Sequence, residues 1–214
     1  MPRGGDPPLS ELALLGEGSL LALSGIGRAA ATAAAQALVD AGASSLMTFG
    51  MAGGLDPNLK PGSVVIPGEV LVAEGGRYTT SRAWREQVAA AISPLCAVSE
   101  GNLLTSTHAI ETPADKAAAF RDTGAAAVDM ESAAVAEIAA KHHLPFIAVR
   151  VIVDTAADYL PRAVVAASRA GRVHFGRLIG GLILRPREIA ALLRLARRYR
   201  IAMRSLRAIG AHLA

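Results

Sequence analysis

The chain has 214 residues, 52% of them hydrophobic and 19% charged, the balance of a single folded core, which excludes a disordered tail or a small peptide scaffold. The single cysteine, Cys96, rules out an internal disulfide and makes a reducing cytoplasm the expected location. The net charge is +4, but Arg185 to Arg207 holds eight arginines against one acid, Glu188, which leaves −3 for the rest of the chain; basicity confined to one tail argues against a nucleic-acid reader.

The N-terminal stretch MPRGGDPPLSEL combines two acids with three prolines and is no secretory signal. Only seventeen residues precede Gly18, and they offer no convincing apolar strand. Leu20–Ser24 is a short apolar run followed by glycine, and Arg28–Ala41 is an alanine-rich helix stopped by Gly42. Ser45–Phe49 reads as a buried strand. A glycine-rich loop, GMAGGLDPNLKPG, leads from it into SVVIPGEVLVA, two β-branched runs divided by Pro67 and Gly68. The longest uncharged stretch, Ala41 to Leu55, has fifteen residues broken by glycines and is too short to span a bilayer.

Further along, Thr80–Ile92 is helical, Asn102–Ser106 extended, and Thr112–Arg121 a helix with Pro113 at its first position. Ala125–Val128 is a short strand, Glu131–His142 a helix, and Pro145–Val151 a strongly apolar strand. Alternating strands and helices, the strands apolar on both faces, predict an α/β layered fold with a central sheet. After Asp158 the periodicity is purely helical. The organisation is therefore one domain over 1–184 and a basic helical appendage over 185–214.

Four constellations could carry chemistry. Ser24-Gly25-Ile26-Gly27-Arg28 joins a strand to a helix, where backbone amides and the helix end could hold an anion or a hydroxyl, although a turn needs glycine for steric reasons anyway. It has neither the GxGxxG spacing of a dinucleotide site nor the GK[ST] of a P-loop. Phe49 to Asp56, with three glycines in five positions, would let backbone approach a flat ligand; a plain surface loop is the competing explanation. Val128-Asp129-Met130-Glu131-Ser132 brings two acids and a thioether to a strand–helix junction, with Glu131 placed in the first helical turn, where a carboxylate is stabilised for structural reasons too. Asp154 follows the apolar strand, at the end of a central strand where open α/β sheets place ligands. His108, His142, His143, His174 and His212 show no metal spacing and Cys96 no His partner, so surface positions or core packing are expected for them, and no cofactor is called for.

SGIGR, FGMAGGLDPNLKPGSVVI, AVDMES and PFIAVRVIVDTAAD, in this order, resemble the nucleoside phosphorylase and nucleosidase superfamily, specifically its methylthioadenosine/S-adenosylhomocysteine nucleosidase branch. DTAADYLPRAVV, LILRPREIAALLRLARR and ETPADKAA are most similar to the hopanoid-associated phosphorylases, which remove adenine from adenosylhopane. The resemblance implies a three-layer fold with a central mixed twisted sheet flanked by helices, assembled as a homo-oligomer that binds a purine and a ribose at the sheet edge. It makes Glu131 the group that binds ribose hydroxyls, Met130 a packing surface for the sugar, and Asp154 the acid that protonates the purine at N7. It places Ala52 and Gly53 beside base and ribose, and Ile110 at the base edge. Gly25 and Arg28 join the substrate-binding set through the first loop.

The division of labour suits the chemistry, since breaking a ribosyl C–N bond puts positive charge on the sugar and negative charge on the base. The resemblance also implies an initial strand and a glutamate-bearing loop that primes water; that strand is expected to be missing, and neither Glu11 nor Glu17 sits in a matching motif. Val153 replaces a serine that could orient Asp154, and Ala109 replaces an aromatic that stacks on adenine. The second loop lacks the phosphate-binding arginine of true phosphorylases, so water is preferred over phosphate as nucleophile, with phosphate still open as a co-substrate. The alternatives are a methylthioadenosine-type nucleosidase and a purine-nucleoside binding protein that has lost turnover.

The C-terminal segment carries Ile189, Leu192, Leu193, Ala196, Arg200, Met203 and Leu206 on a mostly apolar helical face, with arginines around it. Such a helix can lie on an anionic membrane, which would put the protein in peripheral contact with the inner face and suit a lipid-linked substrate received by Val173–Leu184. The same face would equally pack on the enzyme's own body or on a sister subunit.

Overall fold

The computed structural model describes residues 12–14, 18–160 and 186–213, and side chains within the last segment from residue 193. Strands β1 (Leu12–Leu14) and β2 (Leu20–Ala22) form an antiparallel pair of their own, joined by no ladder to the main sheet. An apolar strand thus does form in the first seventeen residues, against expectation: LAL is too short to stand out, but it has Leu20–Ala22 to pair with.

The main sheet has eight strands: β3 (Leu46–Gly54), β4 (Val64–Val65), β5 (Glu69–Val72), β6 (Arg77–Thr79), β7 (Val98–Ser99), β8 (Asn102–Thr105), β9 (Ala125–Asp129) and β10 (Phe146–Asp154). Their spatial order is β6-β5-β8-β9-β3-β10-β4-β7. The nine-residue strands β3 and β10 run parallel at its centre, and β9 lies antiparallel on the other edge of β3. The sheet is therefore mixed, as expected.

Helices α1 (Arg28–Asp40) and α4 (Ser132–Lys141) pack together on one face. Ala35, Ala133, Ala136 and Ala139 meet Leu46, Phe146, Ala148 and Ile152 there, and the small alanines let the helices come close. On the opposite face α2 (Arg82–Ile92) and α5 (Pro186–Leu213) cover Ile147, Val149 and Val151. Helix α3 (Pro113–Thr123) begins as its sequence directs. Thr112 accepts the Asp115 N–H at 3.1 Å, Pro113 occupies the first turn, and Gly124 ends the helix at φ +66°.

Two expectations need correction. The glycines of GMAGG are strand, because β10 and β9 supply ladder partners on both sides and none of the three has a positive φ. Helix α5 seats only part of the face its spacing suggested: Leu206 packs beside the wholly buried Ala202 and Ile209 and Met203 is half-buried, whereas Leu193, Ala196 and Arg200 are exposed. Along this stretch the apolar stripe is taken by the protein's own β10. The side chains of Ile189 and Leu192, and all of Val173–Leu184, lie outside the described residues. No helix among the described residues is long and apolar enough to cross a membrane.

Candidate active site

The carboxyl ends of β3, β9 and β10 and the loop after β8 surround a cavity of about 190 Å³. Glu131 and Asp154, twenty-three positions apart, both line it, together with Ala52, Gly53, Ile110, Met130, Ala109, His108, Leu160 and Lys116. Six of the eight residues singled out in sequence thus converge: Asp154, Glu131, Met130, Ala52, Gly53 and Ile110.

Asp154 is the last residue of β10, and a register shift distorts the ladder just before it: Ile152 pairs with Ala52, but Asp154 pairs with Gly53. The bulge at Val153 breaks the strict alternation of side chains and re-aims the carboxylate. Gly53 makes room for it, since a Cβ there would stand 3.3 Å from Asp154 Oδ2. Gly50 does the same for Arg150, whose Nη1 would be 3.1 Å from an added Cβ. Two of the three glycines of the second motif therefore admit buried charged side chains of β10.

Glu131 sits at the N-cap of α4, one position outside the helix, and its side chain does not cap that helix. It instead accepts the Gly27 N–H at 2.9 Å, so the first and third motifs meet across 104 residues. Gly27 holds φ +96°, which a side chain would resist, and this turns its amide toward the carboxylate. Burial pushes the Glu131 carboxyl above the usual carboxylate range, against the opposing pull of the Gly27 hydrogen bond. Asp154 moves in the same direction for the same cause, burial outweighing the nearby Lys116 ammonium.

Gly25 lies in an adjoining recess of about 230 Å³ that Glu131 and Arg150 also line, with Ser24, Ile26 and Thr48. Arg28 stands apart from the shared cavity. It is half exposed, ion-paired with Glu137 of α4, and lines a third hollow with Gly27, Thr105 and Met130.

Sequence reasoning missed the ionic framework behind these residues. Arg150, 3% exposed, donates from Nε to Asp129 Oδ2 at 2.8 Å and from Nη2 to Thr48 Oγ1 at 2.7 Å and Ser132 Oγ at 2.9 Å. Asp129 also accepts Thr105 Oγ1 at 2.8 Å and the Ser132 N–H. One charged residue inside the apolar run PFIAVRVIV was the available signal. Lys116, wholly buried, ion-pairs with Asp154 and donates to the Thr155 carbonyl at 2.9 Å. No local pattern on α3 betrays it. His108 stands exposed at the cavity rim with Nδ1 2.9 Å from Thr107 Oγ1, and it is the aromatic ring among the described lining residues. Among the described residues no group of His, Cys, Asp and Glu could hold a metal.

A model of the family described as the Phosphorylase superfamily matches residues 12–183. The chain belongs to the Phosphorylase superfamily. It is accordingly an enzyme of the nucleosidase and phosphorylase type. Its fold recurs in a 5′-methylthioadenosine/S-adenosylhomocysteine nucleosidase of Colwellia psychrerythraea solved with adenine, at 23% identity and TM-score 0.59 over 69% of this chain and 74% of that one. It recurs in the Helicobacter pylori nucleosidase of that name, solved in complex with a pyrrolopyrimidine compound, at 18% identity and TM-score 0.61 over 80% and 87%. Futalosine hydrolase of Helicobacter pylori is similar at 18% identity and TM-score 0.60, over 79% and 85%. A search of curated proteins returns no significant match.

Proposed function

We propose that this superfamily member hydrolyses the N-glycosidic bond of an adenine nucleoside, with an adenosylated hopanoid as its substrate and adenine as the released base. The observation that carries the reaction is the placing of two carboxyl groups on one cavity, the half-buried Glu131 at the start of α4 and the buried Asp154 at the end of β10. Breaking the bond leaves the sugar electron-poor and the base electron-rich. Glu131, fixed by Gly27, suits the sugar hydroxyls, with Met130 packed beside the ribose. Asp154, whose acidity is lowered by burial, suits proton donation to the base between Ala52, Gly53 and Ile110.

Water is favoured over phosphate. Among the described residues, Arg150 is buried in its pair with Asp129 and Arg28 is ion-paired with Glu137, whereas a phosphate needs an available cation. The hopanoid rests on the similarity of ETPADKAA, DTAADYLPRAVV and LILRPREIAALLRLARR to the hopanoid-associated enzymes. Leu193, Tyr199 and Ile201, exposed on α5 among arginines, favour contact with a lipid surface. A methylthioadenosine-type nucleosidase is the second reading, favoured by the likeness of the fold to nucleosidases of that type.

The test is to incubate the purified chain with adenosylhopane and with 5′-methylthioadenosine, each with and without phosphate. Adenine plus free ribosylhopane is expected in both the presence and absence of phosphate. A ribose phosphate product would replace hydrolysis by phosphorolysis, exclusive turnover of methylthioadenosine would favour the second reading, and tight adenine binding without turnover would make the protein a binding module. Flotation with anionic liposomes should weaken on truncation before Arg185; unchanged flotation would remove the membrane contact.

A further inference from the structure

Lys116 is wholly buried on α3, yet a lysine is among the residues least often found in an interior. An ion pair taken out of water is weak grounds for stability, because desolvation offsets the attraction. An aliphatic side chain of similar length would fill the space beside Ala119 and Phe120 at less cost. The ammonium is instead held between the Asp154 carboxylate and the Thr155 carbonyl, and it lines the same cavity as Glu131. The carbonyl is itself positioned: Thr155 donates through N–H and Oγ1 to Asp158 Oδ2 at 2.8 and 2.7 Å, and Arg198 of α5 pairs with Asp158. Among the described residues, Lys116 is the one other side chain that hydrogen-bonds Asp154.

We propose that Lys116 is the positioning residue of Asp154 and the reservoir from which that acid is loaded, an inference that rests on the reading of Asp154 as the proton donor. An N–H bond of the ammonium breaks as an O–H bond forms on Asp154. That O–H bond breaks as an N–H bond forms on the departing purine, whose ring takes the electron pair of the ribosyl C–N bond. Lys116 is left as a neutral amine, and the proton released when water adds to the sugar enters solvent, from which the amine is recharged after product departure. A lysine can make this transfer and an arginine cannot, because a guanidinium keeps its protons in a protein. That is the chemical difference between this pair and Arg150–Asp129.

The two roles of a buried cation predict opposite shifts with pH. If Lys116 acted on Asp154 by charge alone, removing it would make the carboxyl harder to ionise and extend activity to higher pH. If the pair shares a proton, the acid function persists until the pair as a whole loses it, and removing Lys116 ends activity at lower pH. The other charged groups around the pair are Arg198 and Asp158 beyond β10, Glu131 and Asp129 at the far wall, Glu111 and Asp115 at the start of α3, and His108 at the rim. All are retained in the variants used.

Lys116→Met, Asp154→Asn and the double variant are compared with the parent by adenine release from 5′-methylthioadenosine and from adenosylhopane across pH. Lys116→Met should lower kcat about tenfold to a thousandfold with KM nearly unchanged, and its alkaline limb should move toward acid. The deficit should shrink at least tenfold on p-nitrophenyl riboside, whose leaving group departs as an anion. The double variant, which carries no unpaired buried charge, should be no slower than Asp154→Asn alone. A limb that moves alkaline or stays in place, or losses that multiply in the double variant, would overturn the inference while leaving Asp154 as the acid. A parent that releases no adenine would instead overturn the hydrolase reading, and this inference with it.

Discussion

Two buried ion pairs contribute to the wall of the cavity and are built differently. Arg150–Asp129 is saturated: the guanidinium is held by a carboxylate and two hydroxyls, and the carboxylate by a guanidinium, a hydroxyl and a helix-start amide. Lys116–Asp154 has one ammonium, one carboxylate and one carbonyl. The closed network ties β3, β9, β10 and α4 together and uses most of its hydrogen-bonding capacity within the protein. A sparse pair at a cavity wall keeps bonding capacity for a substrate. A buried charge pair can thus serve architecture alone or, as we propose for Lys116–Asp154, chemistry.

The sharpest way to separate the two is to break each. Asp154→Asn should lower kcat by roughly 10²–10⁴ with KM within a few-fold, since the amide still accepts from Lys116 but cannot give a proton; an unchanged kcat in a steady-state assay would reject Asp154 as the acid. Asp129→Ala should cost about 3–5 kcal/mol in urea unfolding, because it strands a buried guanidinium. If Asp154→Asn destabilises the fold as much as Asp129→Ala does, the contrast between the pairs fails.

Gly53→Ala places a methyl group against the Asp154 carboxylate and should lower kcat by about tenfold to a hundredfold while the melting temperature moves little. A parent-like rate would mean that the exact seat of the carboxylate is unimportant. The smallest effect concerns Glu131. Because burial raises its carboxyl in the folded state, the fold binds that proton more tightly than the unfolded chain does. Its contribution to stability is present below the ordinary carboxylate range and is lost as pH rises through the raised value. Glu131→Gln, which cannot titrate there, should melt above the parent at neutral pH, and the gap should close as the solution is acidified. A gap independent of pH, measured by calorimetry, would contradict this.

Much of the cavity was legible because its residues end regular elements. AVDMES and PFIAVRVIVD mark strand ends by their apolar runs, and a strand's carboxyl end is where an α/β sheet opens to a ligand. The second charged shell was not legible, because Lys116 is paired with a residue 38 positions away and Arg150 with one 21 away. Neither separation leaves a periodic trace. Arg28 failed to join the cavity for a related reason: its motif puts it on the first turn of α1, and α4 packed alongside offers Glu137.

By itself the amino-acid order determined the helices, most strands and the layered class, since these follow from short-range propensity and from the spacing of apolar side chains. Only the tertiary structure decided that GMAGG is strand, that α5 seats Ala202 and Ile209 against β10, and that a bulge at Val153 directs Asp154 beside Gly53 and Lys116. Those outcomes depend on which surfaces meet, and the free energy of burying a charge or an apolar stripe is set by the partner across the interface.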